Sequence, residues 1–416
     1  MDMGPDQTSL SEPWQNNAQH HKWLLADALR QLAFFRKSLR PDGGFDVLGI
    51  DGTPLVAAAQ ELHTTTRLVH SYALGAVFGA PGCADMIDAG MRFLWTRHRD
   101  PDYGGYLWSV GNQATADGTK LAYGHVFVLL AGASARMAGH PDADRLIDDV
   151  RDVIDSWFWD DERGLLKDEF RQDWSVFSSY RGMNANMHGV EAMLAAYEAT
   201  AQEVYLTRAG RILNFFIGEI APAHHWRLPE HYNEDWIVNP SYEGNPMFRP
   251  LGCTPGHSFE LGRLMIQHWD LSGRSDRDAL AKARRLIETA LSDAWLDDGG
   301  FAYTVDMRGR ILRNSRYWWP VSEAIGAISA LIKTGGSEED EKWYRRLWTC
   351  ANGLFIDHER GGWYPEIDAM GRPASTQFTG KPDIYHALQA TLLPLVPTVS
   401  GLFASLRANC GNRHTN

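Results

Sequence analysis

Apolar residues recur at spacings of three and four in six stretches of this chain. They are Leu29, Leu32 and Phe35; Ile87, Met91, Leu94 and Trp95; Leu146, Val150, Val153, Ile154 and Trp157; Leu213, Phe216, Ile217 and Ile220; Leu286, Ile287, Ala290, Leu291 and Trp295; and Trp343, Leu347, Cys350 and Leu354. That period predicts helices with one buried face. Between them lie stretches that are apolar on nearly every side, at 121–137, 187–197, 259–269 and 321–332. A helix without a polar face must be enclosed by others.

A glycine-aromatic station separates the two kinds of stretch and predicts a tight turn or short hairpin. It reads Gly43-Gly44-Phe45, Gly104-Gly105-Tyr106, Arg163-Gly164-Leu165, Gly299-Gly300-Phe301 and Gly361-Gly362-Trp363. The period is roughly sixty residues, with one interval about twice as long. In that interval His225-Trp226-Arg227-Leu228, followed by Glu230-His231-Tyr232, reads as a degenerate sixth station. The alternation predicts an all-α fold, an (α/α)6 barrel. This is a toroid of six helix pairs, one-sided helices outside and enclosed ones inside, with short β-hairpins at one end. A single catalytic domain over 1–416 is expected, with short flexible tails at 1–12 and 409–416. No series of β-branched runs supplies the strands of a doubly wound α/β fold, so strand should be confined to the stations.

Charge and composition narrow the function. A net charge of -12, with no basic block among 40 Lys+Arg, argues against a nucleic-acid surface. Cys83, Cys253, Cys350 and Cys410 are scattered without a CxxC, as free thiols in a reducing compartment would be. The polar start MDMGPDQTSLSEPWQ and the lack of an eighteen-residue apolar run predict a soluble cytoplasmic protein with no membrane partner. The 16 Trp and 14 Tyr suit a deep core and sugar-stacking surfaces alike.

The starts of the enclosed helices bring the chemistry together. They are His63 to Arg67, Lys120 to His125, Met183 to His188, Thr254 to Glu260, Tyr317 to Glu323 and Lys381 to His386, and five of these six carry a histidine. In the fourth, Thr254 suits the N-cap and Pro255 the first helical position, so that His257 and Glu260 project from one face. There is no nucleophile elbow, phosphate loop or dinucleotide fingerprint. Imidazoles, carboxylates, an arginine and indoles suit proton transfer on a sugar without a cofactor. The histidines lack the spacing of a HExxH metal site, so no metal is expected.

Four pieces, Thr65-Thr66-Arg67, Asn184 to His188, Pro255-Gly256-His257 with Glu260, and Lys381-Pro382-Asp383 to His386, resemble the N-acylglucosamine 2-epimerase superfamily over most of the chain. The resemblance implies an (α/α)6 barrel and proton transfer at the anomeric end of a monosaccharide, in a monomer or homodimer. The first and last pieces are most similar to aldose–ketose isomerases acting on mannose or sulfoquinovose, with D-lyxose as a further substrate. Sugar 2-epimerases of the cellobiose type share the histidines. Regulatory nucleotide binding, known among the N-acylglucosamine epimerases, has no counterpart here.

By the resemblance, His257 and His386 are the acid/base pair at C1 and C2. His188 assists ring opening, Arg67 holds substrate oxygens and Glu260 orients His257. Tyr123, Trp318 and Trp319 are expected to line the pocket, with Asn184 on a hydroxyl and Arg249 on the substrate. Asp383 is open between fixing His386, binding a hydroxyl and capping its helix. Glu323 joins the substrate ligands, and with Glu260 it would form the carboxylate pair of the competing reading, a glycoside hydrolase on an α/α toroid. That reading leaves the repeated histidines unexplained. A protein that only binds a partner would not need them either.

Overall fold

Leu24, Ala28, Leu32 and Phe35 bury one side of the first long helix, α1 (Ala18–Phe35), while Leu29 is left 39% exposed. The computed structural model describes residues 13–411 apart from 56–58, 112–114, 246 and 382. These residues form two compact units, one of 38–47 with 54–252 and the other of 13–37, 48–53 and 253–411. No described helix is long and apolar enough to cross a membrane.

In the first unit the enclosed helices are α2 (Leu62–Val77), α4 (Ala122–Ala138) and α6 (Met183–Thr200), with α4 packed between the other two. Each carries a one-sided helix on its outer face, respectively α3 (Cys83–Phe93), α5 (Ala143–Val153) and α7 (Glu203–Leu213), and a single turn α8 (Ala221–Ala223) follows. The second unit repeats the plan. Its enclosed helices are α9 (Pro255–Leu271), α11 (Trp318–Lys333) and α13 (Tyr385–Leu392), packed respectively by α10 (Ala279–Ala294), α12 (Glu338–Cys350) and α1, with α14 (Leu402–Gly411) at the end. The expected tail at 409–416 thus begins inside α14, and its other residues, like 1–12, lie outside the described part.

Helical spacing misplaces several aromatic and apolar residues for one reason. Four outer helices run on into π turns at Leu94–His98, Ile154–Phe158, Asn214–Ile220 and Ala351–Phe355. The hydrogen bond there spans five residues, as from Arg99 N to Leu94 O at 2.9 Å. The extra residue rotates the phase. Trp157 is therefore 40% exposed and Leu354 half-buried, while their neighbours Phe158 and Phe355 take the buried places.

The five regular stations are hairpins, closed by antiparallel bridges such as Leu39 with Phe45, Arg99 with Tyr106, Trp295 with Phe301 and Ile356 with Trp363. The third is displaced by one residue from its expected reading. Trp159 pairs with Leu166, so Gly164-Leu165-Leu166 is equivalent to Gly104-Gly105-Tyr106. Both glycines have positive φ at 104/105, 299/300 and 361/362, a conformation that penalises any Cβ. The degenerate station is not a hairpin. His225 and Trp226 are left-handed residues ending α8, and His231–Tyr232 pairs instead with Arg181–Gly182.

Strand also occurs outside the stations. Two-residue strands lead into α2, α4, α6 and α11. Three pair with a segment beyond the next station, Gln60–Glu61 with Ser109–Val110, Lys120–Leu121 with Glu169–Phe170 and Arg316–Tyr317 with Glu366–Ile367, and Arg181–Gly182 pairs with His231–Tyr232 of the degenerate station. Basic side chains tie these lead-ins to the stations. Lys120 Nζ donates to Gly104 O at 2.8 Å and Asp100 at 2.7 Å, Lys381 Nζ to Gly361 O at 2.7 Å and Asp357 at 2.8 Å, and Arg316 to Gly299 O at 3.2 Å. Cys83, Cys253 and Cys350 are buried free thiols, whereas the Cys410 side chain lies outside the described part.

Candidate active site

The second unit gathers two imidazoles around one indole. Pro255 occupies the first turn of α9 as expected, while Thr254 at the N-cap makes no side-chain capping bond and offers its carbonyl to His257 N at 3.0 Å. His257 then lies 5.1 Å from the Trp319 ring at 32°, and His386, from α13, lies 5.7 Å from the same ring at 35°. Trp318 meets Phe378 at 5.2 Å and His386 at 6.2 Å, both edge-on.

His386 is oriented by a carboxylate. Its Nδ1 lies 2.8 Å from Glu323 Oε1, and the other oxygen, Oε2, accepts from Arg263 Nη2 at 3.2 Å. Glu323 was expected among the substrate ligands, yet both its oxygens are engaged inside the protein. Glu260 is fully buried one helical turn from His257. One side-chain atom from each of Glu260, Glu323 and His386 lies within 4.8 Å of the others, and the Arg263 guanidinium on Glu323 already supplies a positive charge to that cluster. Asp383 accepts the Tyr385 backbone N–H at 3.1 Å from one residue before the N-cap Ile384, an Asx turn leading into α13, and Pro382 of that motif lies outside the described part.

In the first unit Arg67 donates through Nη2 to Tyr123 Oη at 2.9 Å and lies 4.6 Å above the Phe127 ring. His188 packs against Phe127 at 4.6 Å and Tyr123 at 5.3 Å, with its Nδ1 3.4 Å from Glu191 Oε2. His63 stacks on Trp108 at 5.1 Å and 6°, and Phe248 meets it edge-on. Asn184, half-buried at the start of α6, turns a carbonyl oxygen that has no described hydrogen-bond partner. Arg249 grips Glu169 at 2.6 Å and lies 3.9 Å above the Tyr180 ring. Asp168 beside it is pushed up to about 7 by burial, which the Arg249 charge and the Gly182 N–H only partly oppose.

One of the five aligned histidines is structural. His125 Nε2 accepts the Tyr106 backbone N–H at 3.0 Å, its Nδ1 lies 2.7 Å from Leu121 O, and burial lowers its pKa to about 3. The same bond to a station is made by Gln60 Oε1 from Phe45 N and by Asn186 Oδ1 from Leu166 N. Phe127 and Arg263 join these side chains without standing at a helix start, each legible in the sequence by following a face one turn further, from Tyr123 and from Glu260. Trp108, Phe248 and Phe378 sit in loops with no such signal.

Residues 43–390 match the model of the N-acylglucosamine 2-epimerase (GlcNAc 2-epimerase) family, and the chain belongs to that family. Among its relatives are D-mannose isomerases of Thermobifida fusca, 39% identical over 94% of this chain and 98% of that one, and of Pseudomonas cannabina pv. alisalensis, 38% identical over 94% and 97%. A crystal structure of a D-mannose isomerase superposes with a TM-score of 0.85 at 30% identity, over 90% of this chain and 97% of that one. The fold class is accordingly the (α/α)6 barrel.

Proposed function

We propose that this protein is an aldose–ketose isomerase that interconverts D-mannose and D-fructose by acid/base proton transfer through a cis-enediol, without metal or nucleotide. The observation that carries the reading is the pair of imidazoles on Trp319, one of them anchored through Nδ1 by Glu323. Kinship with D-mannose isomerases over nearly the whole chain supports the choice of sugar.

A carboxylate on Nδ1 leaves Nε2 as the exchangeable position and stabilises the imidazolium formed when that nitrogen takes a proton. In the proposed reaction His386 removes the C2 proton of open-chain mannose. The electrons form the C1–C2 double bond of the enediol, and the carbonyl oxygen O1 takes a proton from His257. Delivery of a proton to C1 and loss of the O2 proton give fructose, so atoms and charge balance. By the family resemblance Arg67 is assigned to the sugar oxygens, His188 to ring opening and Asn184 to a hydroxyl, and Tyr123 and Trp318 are each assigned a contact with the sugar.

Incubation with mannose in heavy water containing a strong chelator, followed by NMR, tests the reading. Fructose carrying deuterium at C1 or transferred proton from C2 is expected. Glucose would make the protein a 2-epimerase, and a rate that only a divalent ion restores would overturn the metal-free mechanism.

A further inference from the structure

Arg263 lies one turn beyond Glu260 on α9, buried, with its guanidinium on Glu323. We infer that Arg263 is a positioning residue of the isomerase: it is the resident cation that holds Glu323 ionised beside Glu260, so that Glu323 can fix the His386 imidazole. The inference rests on the reading above.

Three observations carry it. First, Glu260, Glu323 and His386 bring ligand atoms within 4.8 Å of one another, and two carboxylates that close and that buried favour sharing a proton unless a positive charge stands by. Second, Arg263 supplies that charge at 3.2 Å, on the oxygen that His386 does not use. Third, the neighbouring helix makes room for it. On α11, one turn beyond Glu323, Gly326 has no side chain, and a Cβ there would meet Arg263 Cδ at 3.1 Å and Nε at 3.4 Å.

Among the described residues, Arg263 and Glu260 from α9 and His386 from α13 face Glu323, with His257 across Trp319. On α10 and α12, Arg284 is paired with Asp340 and Arg345 with Glu341. A protonated Glu323 would offer His386 Nδ1 a hydroxyl in place of an acceptor and hold the wrong tautomer.

The test compares wild type with Arg263→Met, Arg263→Lys, Glu323→Gln and the double variant Arg263→Met/Glu323→Gln, each checked for folding by circular dichroism. Arg263→Met should lose on the order of a hundredfold in kcat with KM changed only a few-fold, and the acid limb of its kcat profile should move up by about one pH unit or more. Arg263→Lys should return that limb towards wild type. The double variant should be no slower than Glu323→Gln alone, because Arg263 acts through Glu323. It also leaves no uncompensated carboxylate at position 323, so it remains readable if Arg263→Met does not fold. Native kcat and an unmoved limb in Arg263→Met, or a double loss equal to the product of the singles, would overturn the inference. Nitrogen NMR of His386 separates this from failure of the isomerase reading. If wild type does not convert mannose, a tautomer change in Arg263→Met still supports the relay and an unchanged spectrum rejects it.

Discussion

Gly256 lies directly under the Trp319 indole: a Cβ at position 256 would come within 2.6 Å of ring carbon Cη2 and closer still to Cζ3. The glycine between Pro255 and His257 is there for the neighbouring helix, since only a missing side chain lets the ring that separates the two imidazoles settle. Gly256→Ala should therefore displace Trp319. Overpacking of this kind costs about 1–3 kcal/mol, so a lowered Tm is expected together with a fall in kcat/KM and a change in tryptophan fluorescence. Native values of all three would show that the ring does not depend on the glycine.

Replacement of His257 or His386 by Asn should cost about a hundred- to ten-thousand-fold in rate. The double replacement should cost far less than the product, because groups working as one unit are not additive. Exchange of the mannose C2 proton assigns the roles. If His386→Asn exchanges it at the native rate, His386 is not the base.

Acid should destabilise the fold early, through histidines outside the chemistry. Burial lowers His20 and His125 to about 3 and His98 to about 4. Each is neutral in the folded chain but titrates at about 6.5 when unfolded. Their contribution is therefore fully present above pH ~6.5 and is lost progressively as pH falls towards 3 to 4, at about 1.4 kcal/mol per pH unit for each group. Tm measured from pH 7 to 5 should drop steeply. His125→Gln, which keeps an acceptor for Tyr106 N, should flatten the slope, and an unchanged slope would mean that His125 is not held neutral.

The buried lysines give a stability prediction. Lys381 has no exposed surface and its ammonium is paired with Asp357. Lys381→Met strands that carboxylate and should cost about 3–5 kcal/mol in unfolding free energy. Adding Asp357→Asn, which keeps an acceptor for the backbone N–H groups of Glu359 and Arg360, should recover part of the loss. Denaturant titration of the two variants reads the difference, and equal stabilities would exclude a charge effect.

The helix pairs were legible because apolar spacing reports burial directly. The hairpins were legible because adjacent left-handed residues all but demand glycine. The third station was misread by one residue, since Leu165 fills a place that is glycine elsewhere and only the pairing of Trp159 with Leu166 fixes the register. At the site, His257, His386 and Trp319 could be named from the helix starts. The role of Glu323 could not, because a bond between α11 and α13 leaves no trace in the spacing of either. His125 misled for a related reason: it shares the helix-start position of the others, and only the Tyr106 backbone shows what it is for.

The π turns make the outer helices sensitive to length. Each holds one residue more than an α turn would, and removing it would rotate everything downstream by about 100°. At Leu94–His98 such a deletion would swing His98 away from Leu107 O and Thr65, its partners at 3.2 and 3.3 Å, and would carry the Arg99 end of the next hairpin with it. These segments should thus accept exchange of one apolar residue for another far more readily than a change in residue number, and a one-residue gap in any relative should fall outside them.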